Sequence, residues 1–296
     1  MNPLDLLVEP LGYGFMVNAL ATAVTAAAVC AVLSCWLVLI GWSLMGDAVS
    51  HAVLPGVVLA YVFSVPFAIG ALLFGFLAVA LIGAVRDTSR IKEDAAIGIV
   101  FSTLFALGLV LISVTPSNTD LSHIIFGNLL GVSKAELTQI VILGAIALGI
   151  LLFKRKDFTL FAFDPTHAHA IGLNPKIIGA ALLGLLALTS VVALQAVGVI
   201  LVVAMLIIPG ATAHLLTDRF GRMLVIAPAI SVLCAVAGLY VSYYLDTASG
   251  GMIVLTQGAV FALVYLFSPT QGLLGKRYAA SKRRRAAASP EPSQVA

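Results

Sequence analysis

The charges of this chain are gathered into short clusters, and the stretches between them are long and apolar. That segregation limits the fold more than any motif does. A helix rising 1.5 Å per residue needs about 20 apolar residues to cross a hydrocarbon core of about 30 Å. Nine such stretches read along the sequence, near 14–40, 47–66, 67–86, 94–115, 137–153, 177–193, 198–216, 223–245 and 251–267. Only 10% of the residues are charged, where a soluble domain carries roughly 25%. No stretch shows the alternating pattern of an outer-membrane barrel. The expected fold is therefore all-α, a polytopic transmembrane helical bundle occupying residues 1–275. Residues 276–296 read as a basic, then Ala/Ser/Pro-rich tail, expected to be disordered.

Basic residues give the expected orientation. Arg86, Arg90 and Lys92 follow the third stretch, and Lys154, Arg155, Lys156 and Lys176 follow the fifth. Arg219 and Arg222 follow the seventh, and the Lys276–Arg285 cluster follows the ninth. If all nine stretches cross, these residues share one side and only Lys134 lies opposite. The positive-inside rule then gives an N-terminus outside and a C-terminus in the cytoplasm. Asp5 and Glu9, with no basic n-region, do not read as a cleaved signal peptide. The tail is expected to touch anionic lipid rather than nucleic acid. Cys30, Cys35 and Cys234 have no CxxC partner spacing and read as small packing residues.

Asp47 and His51 stand four apart at the head of the second stretch, on one face of a helix. An acid at bilayer depth costs roughly 2.5–3.5 kcal/mol on insertion scales, so an acid beside an imidazole implies a task. A carboxylate oxygen with an imidazole nitrogen fits Mn²⁺, Fe²⁺ or Zn²⁺. The bland reading makes Asp47 a helix N-cap and lets His51 satisfy a buried carbonyl. In the 154–176 loop, Asp164-Pro165 starts a short helix and Gly172-Leu173 ends it. That helix reads either as a docking element for a cytoplasmic partner or as one resting on the membrane. His167 and His169 are two apart, on different faces, and do not read as a metal pair. Asp120 and His123 could share a face at an outer entrance for a cation, with Glu136 on the same side. Pro55-Gly56 and Pro209-Gly210 mark kinks, breaks or close helix approaches. The sequence has no Walker A motif, so ATP is not held here in that manner.

The run Ser43-Leu44-Met45-Gly46-Asp47-Ala48-Val49-Ser50-His51-Ala52-Val53-Leu54-Pro55-Gly56 resembles the signature of the zinc/manganese/iron permease family of bacterial ABC importers. Further blocks follow in order: Lys92 to Ser102, Phe163-Asp164-Pro165 continuing to Ile171-Gly172-Leu173, Val192 to Val199, and Gly238 to Asp246. Ile40-Gly41-Trp42 stands where family members often carry basic residues. The resemblance implies a homodimer with a type II ABC importer-like fold. It further implies a separate cytoplasmic ATP-binding subunit on the Asp164–Leu173 helix, and an external metal-binding protein that delivers the ion. It maps the metal-pathway acid and histidine onto Asp47 and His51. The stretch from Asp120 to Asn128 looks more like the manganese/iron branch than the zinc branch. The chain itself would bind no cofactor, the metal being cargo. The alternatives are a proton-coupled secondary transporter working alone, with Asp47 as its proton relay, or the same ABC architecture with a metal chelate or vitamin as cargo.

Overall fold

The computed structural model describes residues 8–115, 129–268 and 272, so the expectations placed on Asp120, His123 and the 276–296 tail lie outside the described residues. All regular structure among the described residues is helical. A 3-10 turn at Glu9–Gly12 leads into α1 (Gly14–Ile40). There follow α2 (Ser43–Ala52), α3 (Leu54–Val62), α4 (Phe67–Thr88) and α5 (Glu93–Val114). A second 3-10 turn, Leu129–Gly131, precedes α6 (Lys134–Phe153), α7 (Arg155–Phe163) and α8 (Pro165–Ala170). The chain continues through α9 (Pro175–Val197), α10 (Val199–Leu216), α11 (Phe220–Leu245) and α12 (Ser249–Phe267).

Counting α2 and α3 as one broken span, eight helical segments among the described residues are long and apolar enough to cross a bilayer. The ninth expected span is α10, whose 18 residues are one fewer than the 19 of α12. It still runs the same depth as α12. At one end a methyl group on Gly250 would lie 3.1 Å from the Val197 carbonyl, and at the other Ser268 Oγ donates to the Leu215 carbonyl at 2.7 Å. Two helices that begin together and end together cover the same distance.

α1 is the central post. Its residues from Ala26 to Leu37 are nearly all buried, and α6, α9, α10 and α11 pack around it. Cys30, Cys35 and Cys234 are buried and free, as packing residues should be. The expected sidedness of the basic residues is legible in the packing. Trp42, Arg86, Phe161 and Lys176 line one cavity of about 730 Å³, while Arg155, Lys156 and Phe220 line another of about 570 Å³. The starts of α2, α9 and α11 and the ends of α4 and α6 therefore gather at one end of the bundle.

The two Pro-Gly pairs behave differently. At the first, α2 stops and Val53 alone joins it to α3. Gly56 then lies so close to Gly70 of α4 that a methyl group on either would strike the other's carbonyl oxygen. At the second, α10 continues through Pro209, and Gly210 packs directly on Ser34 of α1.

Candidate functional site

α1 ends at Gly41, which takes the left-handed backbone (φ 85°) and donates its N–H to the Leu37 carbonyl at 3.0 Å. Trp42 N–H goes to the same carbonyl at 2.8 Å. The chain thus reverses within two residues and α2 begins at once, at Ser43. This corrects the span expected from residue 47. Trp42 holds the cap position, so Asp47 lies inside the helix and caps nothing. At 1.5 Å per residue, Asp47 sits about 6 Å and His51 about 12 Å beyond the first residue of α2.

One face of α2, carrying Met45, Ala48, Val49 and Ala52, is buried in the core. Gly46 faces Leu37, Leu186 and Leu206 there. Asp47 and His51 occupy a different face and remain accessible, with side-chain exposures of 38% and 15%. His51 Nδ1 lies 3.1 Å from Asp47 Oδ1 and 3.1 Å from the Asp47 backbone carbonyl. Ser50 Oγ donates to that same carbonyl at 2.8 Å. Both of the oxygens nearest Nδ1 are acceptors when the carboxyl is ionised, so in the neutral imidazole Nδ1 carries the proton and Nε2 keeps the lone pair. Phe101 and Phe105 of α5 pack on the imidazole in T-shaped arrangements. Their centroids are 5.5 and 5.4 Å away and both planes are inclined at 75°. The bland reading of His51 holds in part, since it does meet a backbone carbonyl. Among the described residues its partner carboxylate is engaged through Oδ1.

This arrangement offers one imidazole nitrogen and one carboxylate from a single turn of helix. Among the described residues no cluster of three or more His, Cys, Asp and Glu side chains forms. Within the described residues these two donors are not closed into a cage.

α8 matches its sequence signals closely. Asp164 Oδ1 accepts from His167 N–H at 2.8 Å, and Pro165 occupies the first turn. At the other end Gly172 is left-handed (φ 90°), its N–H reaching the His169 carbonyl and Leu173 N–H the Ala168 carbonyl, each at 3.0 Å. Those two bonds form a Schellman motif. Only Ala168 of this helix is buried; His167 and His169 are both exposed. Glu136, grouped by sequence with the outer entrance, closes a capping box with Ser133. Ser133 N–H donates to Glu136 Oε2 at 2.8 Å, and Glu136 N–H to Ser133 Oγ at 3.2 Å. Sequence reasoning missed Phe101 and Phe105. Their i,i+4 spacing is a faint signal inside an apolar helix where many residues repeat at that interval.

Fold and site together define a multi-pass helical membrane permease. The chain belongs to the ABC 3 transport family, whose model matches residues 12–268. It is 50% identical over 288 residues to the manganese transport system membrane protein MntB of Synechocystis, covering 97% of this chain and 93% of that one. It is 46% identical over 282 residues to the chelated iron transport system membrane protein YfeC of Yersinia pestis, covering 95% and 96%. Among solved structures, PsaBC from Streptococcus pneumoniae in complex with Fab superposes with a TM-score of 0.86 at 39% identity, over 94% of this chain and 99% of that one. Membership carries the ABC-permease expectation and lends nothing to a stand-alone secondary transporter.

Proposed function

We propose that this chain forms the membrane pathway of an ATP-driven importer for a divalent transition metal ion, manganese or iron in preference to zinc. The observation that carries the reading is the Asp47–His51 pair, half-open on α2, in a chain whose relatives are named for manganese and iron transport. Ionised Asp47 and the Nε2 nitrogen of neutral His51 are the ligand forms. A second copy of the chain would double the donor set across a shared axis, giving a site strong enough to receive an ion and weak enough to release it. The exposed, doubly capped helix α8, from Asp164 to Leu173, is the seat for a separate ATP-binding subunit on the cytoplasmic side. An external metal-binding protein would deliver the ion at the opposite end. The basic end of the bundle faces the cytoplasm by the positive-inside rule.

The test is uptake of radiolabelled manganese into vesicles holding the chain with its ATP-binding subunit. Asp47→Ala and His51→Ala each lower uptake to that of vesicles lacking the chain, while the ATP-binding subunit still copurifies. Wild-type rates in both variants would remove the site. Gradient-driven flux in vesicles holding the chain alone would favour the secondary transporter.

A further inference from the structure

The cavity of about 570 Å³ between α7 and the first turn of α11 falls within the roughly 300–1,000 Å³ of ordinary ligand pockets, and neither Asp47 nor His51 lines it. Its floor is apolar: Leu160 and Phe163 from α7, Phe220 and Leu224 from α11. Its rim carries Arg155 and Lys156, and no carboxylate lines it. Neither rim cation has an ion pair among the described residues; the acid of α7, Asp157, is held by Lys154 at 3.1 Å. Arg219 and Arg222 flank the α11 wall in sequence. The walls are fixed. Trp36 Nε1 donates to Thr159 Oγ1 at 3.3 Å, and the Trp36 ring meets Phe158 at 6.1 Å and Phe220 at 5.3 Å.

We propose that this groove binds one anionic phospholipid. The phosphate lies against Arg155 and Lys156, and an acyl chain lies on the apolar floor. Two observations select this occupant. The charge is of one sign, which fits a phosphate and excludes the chain's own basic tail. Phe163 on that floor is exposed, and so are Phe153 and Val225, which neighbour the groove residues in sequence at the ends of two helices long and apolar enough to cross a bilayer, so an acyl chain can reach the groove from the membrane. α7 joins α8 through Asp164 alone, so the bound lipid braces the helix that leads to the docking seat.

The test is native mass spectrometry of the full chain in detergent, titrated with phosphatidylglycerol or phosphatidylcholine. The wild type retains one phosphatidylglycerol in preference to phosphatidylcholine. The double variant Arg155→Gln/Lys156→Gln weakens that retention about 30-fold, from about 1 kcal/mol for each basic residue near an anionic surface. Gly221→Phe, at a position on the groove wall with open space around it, blocks the floor and lowers retention of both lipids. Arg86→Gln, which removes one charge at the other cavity, leaves retention unchanged. Unchanged retention in the double variant, an equal loss in Arg86→Gln, or no headgroup preference in the wild type would each overturn the assignment. So would complete displacement of the lipid by the ATP-binding subunit, which would give the groove to that protein instead.

Discussion

The two Pro-Gly pairs are the same dipeptide in two apolar helices, yet one breaks its span and the other does not. Pro55 sits in the first turn of α3, where its missing N–H would have found no helical partner in any case. The break at Val53 therefore costs little. Pro209 lies in the interior of α10, where a proline ordinarily forfeits a hydrogen bond and kinks the helix. There α1 supplies the replacement. Ser34 Oγ accepts the Gly210 N–H at 2.9 Å and faces the Ile207 carbonyl at 3.3 Å. Proline alone does not set the outcome: at Pro209 a hydroxyl from the neighbouring helix takes the N–H that follows the proline. The consequence for function is positional. α2, which bears Asp47 and His51, is joined to α3 by one residue, while α10 is held fast to the central post.

Four substitutions would break or sharpen this contrast. The largest effect belongs to Gly56→Ala, whose methyl group strikes the Gly70 carbonyl, a backbone atom that cannot rotate away. It should destabilise by about 3 kcal/mol, the upper end of overpacking, read as a lowered thermal midpoint in detergent. Gly210→Ala comes next, because its methyl group meets the Ser34 hydroxyl and lies 2.6 Å from the Ser34 carbonyl oxygen. About 2 kcal/mol is expected, and adding Ser34→Ala should recover only part of it, since the carbonyl remains. Full recovery in the double variant would show that the hydroxyl alone sets the spacing. Ser34→Ala by itself leaves the Gly210 N–H without its acceptor, at about 1 kcal/mol, seen as faster amide exchange around Pro209. Phe105→Leu is the mildest. It removes one of the two rings packed on His51, about 0.5 kcal/mol at the low end for a ring pair, and should raise the metal concentration for half-maximal uptake about two-fold while leaving the thermal midpoint near wild type.

What was legible in the sequence was local. The spans follow from apolar length. The α8 helix follows from Asp164-Pro165 and Gly172, because an N-cap carboxylate, a proline in the first turn and a left-handed glycine act on their immediate neighbours. The start of α2 was misplaced because Gly41-Trp42 offers no polar cap, and the reversal is built from two bonds to one carbonyl. Phe101 and Phe105 and the Ser34–Gly210 contact were not legible, since each joins residues distant in sequence. The latter pair is 176 positions apart. The pairing of Asp47 with His51 was readable from spacing, but the nitrogen that faces the acid, Nδ1, needed coordinates.

Helices α6, α7 and α8 follow one another with a single residue at each joint, Lys154 (φ −91°, ψ 13°) and Asp164 (φ −150°, ψ 89°). A linkage with joints that short is a crank. It has no slack in which a displacement at α8 could be lost, so whatever shifts that end must turn the middle arm, and through it the long shaft that enters the membrane.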